Sequence, residues 1–188
     1  MRYLVSFVFI LLLTGCGVYS QHPITLFDKT QIDSKLFGSW FWLEKNESGY
    51  IHIGMDDKSE RLKILMVGVN KDGEINIMEF EGHSSQVGEN HYLNLKQIQP
   101  KAERNDNYMI IKYSITSNEL KIGLMDDTVA AEAIKAKGLK GKVEGKKYIL
   151  NVYITEKEEV LQKFLLDHDS VIFHEMKALE KVDLSKMK

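Results

Sequence analysis

Alternation of apolar and polar residues is the feature that most constrains the fold of this chain. From Gly38 onward, short runs of apolar, β-branched and aromatic residues are separated by turn residues about every 8 to 12 positions. The apolar members of two such runs are Met109, Ile111, Tyr113 and Ile115, then Leu120, Ile122 and Leu124. Strict alternation buries one face of a strand and leaves the other in water. The sequence therefore predicts antiparallel sheets arranged as a sandwich or a barrel.

The hydrophobic period changes to that of a helix late in the chain. Asp126 and Asp127 precede apolar residues at helical spacing, and Gly138 is placed to end that helix. Thr155 and Glu158 form a capping-box pattern ahead of a second apolar stripe. We therefore expect two short helices late in the chain.

Three further segments complete the expected order of elements. KKYILNVYI, between the two helices, predicts a strand, and Val171–Met176 predicts the last one. The run GLKGKVEG, residues 138–145, is interpreted as a lysine-bearing turn. The predicted total is about eight to nine strands in one domain over residues 36–180, with a frayed tail at 181–188.

The first fifteen residues have the layout of a secretory signal peptide. Arg2 precedes an apolar run from Tyr3 to Leu13, and the small residues Thr14 and Gly15 follow it. A helix of that length reaches about 16 Å, whereas the hydrocarbon core of a bilayer is about 30 Å thick. A cleaved signal peptide, residues 1–15, is therefore favoured over a transmembrane anchor.

Cys16 is the only cysteine of the chain, and it follows Leu13-Thr14-Gly15. This run resembles the lipobox of bacterial lipoproteins, which implies that Cys16 becomes the mature N-terminus and carries lipid such as palmitate. Two or more acyl chains hold a protein stably to a membrane. In enterobacterial-type sorting, Gly17 carries no inner-membrane retention signal, so the resemblance implies an outer-membrane anchor facing the periplasm. The alternative is an unmodified cysteine within an ordinary signal peptide.

Composition narrows the partners and the means of stabilisation. Residues 16–35 mix polar and apolar types without a sustained period, so they are interpreted as the lipidated cysteine and a tether. A single cysteine permits no disulfide within the domain. The net charge of −2 at pH 7, without a long basic run, argues against a nucleic-acid partner.

Gly38-Ser39-Trp40 at the first predicted strand resembles the Gly-x-Trp motif of lipocalins and related calycins. The resemblance implies a β-barrel or half-barrel whose tryptophan closes the base, often around an apolar ligand. In that family the tryptophan commonly packs on an arginine near the last strand, but the arginines here are Arg2, Arg61 and Arg104. The candidate ligand-binding residues are Trp40, Trp42, Met66, Met109 and Tyr113. Strand methionines also fill irregular cores, and that alternative stays open.

A broader resemblance, over most of residues 36–176, is to a group of uncharacterised proteobacterial lipoproteins. The features that carry it are Gly38-Ser39-Trp40, Tyr92-Leu93-Asn94, Lys112-Tyr113, Gly138-Leu139-Lys140-Gly141, Ile154-Thr155 with Leu161 and Phe164-Leu165, and Val171-Ile172-Phe173. This resemblance supports the fold as a unit and implies no activity.

No catalytic, metal or cofactor motif stands out. His83 and His91, with Glu81 and Glu89 nearby, could gather as metal ligands, but the spacing matches no compact zinc pattern, so solvated loop histidines are favoured. Ser84 and Ser85 lack the Gly-x-Ser-x-Gly elbow of hydrolases. We therefore expect no enzyme, no metal and no cofactor. Hydrolysis through the histidine and carboxylate groups is the least favoured hypothesis, and loss of a measured activity in His83→Ala would be needed to support it.

Two functions are compatible with these patterns. The first is a membrane-anchored lipoprotein that binds a small apolar or amphipathic molecule in the cell envelope. The second is an envelope interaction or assembly lipoprotein without a small ligand, which would use exposed faces such as Tyr148, Tyr153 or the helix at 156–167. A ligand-sized cavity would favour the first function.

Overall fold

Eight antiparallel strands close into a barrel in the computed structural model, which describes residues 17–28, 31–98, 106–146 and 149–182. Numbered in chain order, its strands are β2 (Gly38–Leu43), β3 (Glu47–Met55), β4 (Leu62–Asn70), β5 (Ile75–Val87), β6 (Asn90–Ile98), β7 (Tyr108–Ile115), β8 (Glu119–Leu124) and β11 (Lys177–Lys181). They follow one another around the barrel in this order, and β11 returns to pair with β2. The predicted barrel is confirmed, and it is closed rather than a half-barrel.

Alternation along each strand decides which residues fill the barrel. Trp40 of β2, Ile51 of β3 and Met66 of β4 are buried and lie side by side in register. Their chain neighbours point outward, as a pleated strand requires. A hairpin at residues 70–73, NKDG, joins β4 to β5, and Gly73 there adopts a positive φ of 80°.

Three further strands extend the sheet beside β7. They are β1 (Gly17–Ser20), β9 (Gly141–Lys146) and β10 (Ile149–Ile154). Strand β1 runs parallel to β10 and antiparallel to the start of β7. The predicted lysine-bearing turn at residues 138–145 is therefore wrong over most of its length, because those residues form an edge strand on β10.

Residues 17–28, expected to be part of a tether, pack against the barrel instead. Val18 and Ile24 are buried, and the Ile24 amide donates to Asn94 Oδ1 at 2.6 Å. A short 3-10 helix, Ser34–Leu36, then covers one end of the barrel, which we call the base. Burial of these apolar side chains favours a fixed path for the segment. The predicted signal peptide, Cys16 and the predicted tail beyond residue 182 lie outside the described residues.

Of the two late helices, the first packs on the added strands β9 and β10, and the second covers the outer face of the barrel beside β6 and β7. Helix α1 is Asp127–Lys135 and helix α2 is Glu158–Ile172. The Asp126 side chain caps α1 by accepting from the Val129 amide at 2.8 Å, as predicted. The predicted cap of α2 is wrong, because its N-cap is Lys157 and makes no side-chain hydrogen bond.

The predicted strand at Val171–Met176 is also wrong. Helix α2 continues to Ile172, since Leu161, Leu165 and Ile172 share one buried helical stripe. These side chains form a second core with the outer face of the barrel, including Ile110.

Among the described residues, no helix is long and apolar enough to cross a membrane.

Candidate functional site

The barrel holds a cavity of about 550 Å³. Most of its lining is apolar and comes from inward-facing strand residues: Trp42, Ile51, Ile53, Ile64, Met66, Phe80, Leu93, Leu95, Met109, Ile111, Leu120, Ile122 and Leu124. The remaining lining residues belong to the end of β2, to the turn after it and to residues 174–178, which mark the end opposite the base. We call that end the mouth. An apolar chamber with polar groups at one end is the usual form of a small-molecule site.

Trp40 closes the cavity at the base. Its indole Nε1 donates to the Leu36 carbonyl at 2.9 Å, and the ring is fully buried. Gly38 enters the strand with a φ of 128°, a conformation that favours glycine. Lys181 of the last barrel strand lies over the Trp40 ring, 5.0 Å from its centroid. A lysine thus occupies the place for which the lipocalin resemblance implies an arginine.

Trp42 projects into the cavity because two glycines leave room for its indole. A Cβ on Gly49 would lie 2.4 Å from the Trp42 ring and 2.2 Å from the Val67 carbonyl oxygen. Gly68 faces the same ring on the next strand. No larger residue fits at position 49 without displacing the tryptophan.

Charged groups gather at the mouth. Lys177 Nζ lies 2.8 Å from Glu44 Oε1 and 2.8 Å from Glu47 Oε1, so one ammonium is shared by two carboxylates. The Lys177 side chain is 16 % exposed and that of Glu47 is 8 % exposed. Because a charge at such depth is costly without a partner, these three residues depend on one another. Lys177 also lies over the Trp42 ring at 5.8 Å.

Residues 174–175 add further ionisable groups to the mouth. His174 Nδ1 lies 3.7 Å from Asp126 Oδ2, and His174 Nε2 lies 3.8 Å from Glu175 Oε1. Both His174 and Glu175 line the cavity and are about half exposed. The mouth is therefore richer in carboxylates than in permanent cations.

The five predicted ligand-binding residues divide between the two ends of the barrel. Trp42, Met66 and Met109 line the cavity. Trp40 and Tyr113 are buried in the same core but lie toward the base. The Tyr113 hydroxyl donates to Asp33 Oδ2 at 3.3 Å, and burial raises the pKa of this tyrosine.

A second, more polar cavity of about 560 Å³ lies beside Tyr113 at the base. Ser84 and His91 line it together with Asp33. The Ser84 hydroxyl donates to the Gln31 carbonyl at 2.8 Å and accepts from the Asp33 amide at 3.0 Å. These bonds hold the segment that closes the base, and they account for the serine's buried position.

His83 is not the solvated loop residue that the sequence suggested. It lies on β5 and is 1 % exposed, beneath residues 25–27. Its Nε2 donates to the Thr25 carbonyl at 2.8 Å, and its Nδ1 contacts no hydrogen-bond partner among the described residues. Burial lowers the pKa of His83, because the charged form loses its hydration. The described residues contain no cluster of three potential metal ligands.

The outer face of the barrel carries an exposed apolar row near the mouth. Phe41, Tyr50, Val67 and Ile77 are consecutive register partners across β2, β3, β4 and β5. Three of the four are exposed by more than a third, Ile77 most at 66 %. Contiguous exposed apolar residues of this kind mark interaction surfaces more often than isolated ones do.

Sequence reasoning missed the polar residues of the mouth. Glu44, Glu47 and Lys177 are ordinary surface types in the sequence, and 130 positions separate Glu47 from Lys177. One local signal was available: Glu44 lies two residues after the inward-facing Trp42, at the end of β2, where an inward-facing charge would lie at the rim of the barrel.

Comparison with known proteins adds no assignment to this geometry. No protein-family model, no curated protein and no solved structure matches this chain.

Proposed function

We propose that this chain is a lipid-anchored envelope protein that binds a small apolar or amphipathic molecule inside its barrel. The observation that carries the proposal is the apolar cavity of about 550 Å³. Its volume lies within the range of about 300 to 1,000 Å³ that is usual for ligand sites. The proposal assigns binding and no catalytic step.

The lining supports an adaptable site for an apolar chain. Met66 and Met109 have flexible, polarizable side chains that can follow a ligand's shape. Burial of each ligand methylene contributes about 0.8 kcal/mol, so an alkyl chain gains affinity with length until the cavity is full. The base is closed by Trp40 and Leu36, which leaves the mouth as the route of entry.

The envelope location rests on the sequence. The apolar run before Cys16 and its resemblance to a lipobox support an anchored protein on the periplasmic side of the outer membrane. A protein held at a membrane by acyl chains stays close to a source of amphipathic molecules. This proximity supports the same class of ligand as the cavity does.

Filling the cavity tests the proposed function. Ile122 lines the cavity on β8, whereas its neighbour Lys121 points outward and is about half exposed. Ile122→Trp therefore occupies ligand space, and Lys121→Trp adds the same ring outside. Each full-length variant is purified from a bacterial host, extracted with organic solvent, and the extract is analysed by mass spectrometry alongside the wild type.

The expected result is one class of apolar or amphipathic molecule in the wild-type and Lys121→Trp extracts that is depleted about tenfold or more in Ile122→Trp. Circular dichroism establishes that both variants remain folded. Equal extracts from all three proteins would contradict the proposal, because molecules attached only through an anchor or the surface do not depend on cavity volume.

A second candidate function is contact with an envelope protein, favoured by the exposed row of Phe41, Tyr50, Val67 and Ile77. A photo-crosslinking residue at Tyr50 would capture such a partner, and one at Lys63, exposed on the same outer face, serves as the control. Loss of the Tyr50 crosslink in an Ile77→Ser background would support the interaction. Equal capture at both positions would contradict it.

A further inference from the structure

The charged groups of the cavity all lie at one end, so they contact the head of a bound amphiphile and not its tail. We infer that the mouth selects amphiphiles with a positively charged head, of the alkylammonium class, over those with an anionic head. This inference rests on the proposed function, since it concerns the ligand of the same cavity. Three features of the mouth carry it.

The first feature is the balance of charge. Four carboxylates belong to the mouth or contact its residues: Glu44, Glu47, Asp126 and Glu175. Among the described residues that line the cavity, Lys177 is the one permanent cation, and His174 is a second only when protonated. Lys45, in the turn between Glu44 and Glu47, is an exposed cation outside the lining, so the carboxylates still outnumber the permanent cations. The field at this end is therefore negative, and it attracts a cation that enters the partly desolvated cavity.

The second feature is the engagement of Lys177. Its ammonium already lies 2.8 Å from a carboxylate oxygen of Glu44 and 2.8 Å from one of Glu47. An anionic head that competed for Lys177 would have to displace one of these carboxylates, and would leave Glu47, 8 % exposed, without its cation. An ammonium head can approach the Glu44 carboxylate and leave Lys177 in place.

The third feature is the ring of Trp42, which lines the cavity directly beneath these carboxylates. The face of a tryptophan attracts cations, and an aromatic ring beside a carboxylate is a favourable environment for alkylammonium groups. Lys177 lies 5.8 Å from the ring centroid, which shows that a cation is compatible with this position. The same arrangement offers an anion no comparable attraction.

Matched amphiphiles test the inference. Dodecylammonium, dodecanol and dodecanoate share one tail and differ in head charge, and each is titrated below its micellar concentration into the full chain at pH 7. The chain contains two tryptophans, Trp40 and Trp42, so intrinsic fluorescence reports on the barrel. Glu44→Gln removes one lining carboxylate, and Glu180→Gln removes an outward-facing carboxylate from the same strand as Lys177.

We expect dodecylammonium to bind about tenfold more tightly than dodecanol, and dodecanoate more weakly than dodecanol. Glu44→Gln should reduce the ammonium preference severalfold without weakening dodecanol, whereas Glu180→Gln should leave both unchanged. Tight binding of dodecanol together with equal or tighter binding of dodecanoate would overturn the inference and leave the cavity as a ligand site. Failure of all three to bind would overturn both the inference and the proposed function.

Discussion

The shared ion pair at the mouth should contribute measurably to the stability of the barrel. Lys177 begins β11 and Glu47 begins β3, the two neighbours of β2, so their contact bridges the place where the last barrel strand pairs with the first. Lys177→Met keeps the aliphatic packing on Trp42 but leaves Glu47 without its cation. Removing one partner of a buried pair costs about 3 to 5 kcal/mol. Because Glu44 is 34 % exposed and the mouth is partly solvated, we expect Lys177→Met to lower the free energy of unfolding by about 2 to 3 kcal/mol.

Urea unfolding followed by tryptophan fluorescence measures this effect. A double-mutant cycle with Glu47→Gln should show a coupling of about 1 to 2 kcal/mol, because the second change removes the carboxylate that the first leaves unpaired. Lys121→Met is the matched control, since its ion pair with Glu119 is about half exposed and should contribute less than about 1 kcal/mol. Strict additivity of Lys177→Met and Glu47→Gln, or an equal loss in Lys121→Met, would refute the reasoning.

Three further predictions concern other parts of the chain. Gly49→Ala should destabilise the protein by about 1 to 3 kcal/mol in urea, because its Cβ would meet the Trp42 ring, whereas Gly54→Ala, with nothing within 4 Å, should not. As the pH is lowered below about 6.5, the unfolded chain protonates His83 before the folded protein does. The free energy of unfolding should therefore fall by up to about 1.4 kcal/mol for each unit by which the pH is lowered. His83→Gln should lose this contribution to the pH dependence, and a variant with the same pH profile as the wild type would contradict the prediction. Cys16→Ser should abolish metabolic labelling with a palmitate analogue, and persistent labelling would exclude lipidation at this residue.

The barrel strands were predictable because alternation is a local property. Ile122 and Leu124 face inward as their spacing indicates, and the Asp126 cap is visible in the sequence. The sequence predicts a strand from Val171 because Val171, Ile172 and Phe173 are consecutive residues of types that favour strands. Its Ile172, however, lies on the helical stripe that begins at Leu161, and packing on the second core decided the outcome.

The cavity and its mouth could not be predicted, because both depend on barrel closure. Closure requires β11 to pair with β2, which are more than a hundred residues apart, and no local pattern specifies that pairing. The sequence pattern does not determine the cavity volume either, since the same inward-facing residues would fill a flattened sandwich without a void. The Trp42 position depended on Gly49, whose role appears only when β2 and β3 are in register.

The first described strand bears on how the proposed anchor would hold the molecule. Strand β1 begins at Gly17 and pairs with both β7 and β10. Adjacent Cα atoms are about 3.8 Å apart, so a lipid on Cys16 would be attached one residue from the sheet. The barrel would then be held close to its leaflet without a flexible spacer, within reach of the amphipathic molecules of that membrane.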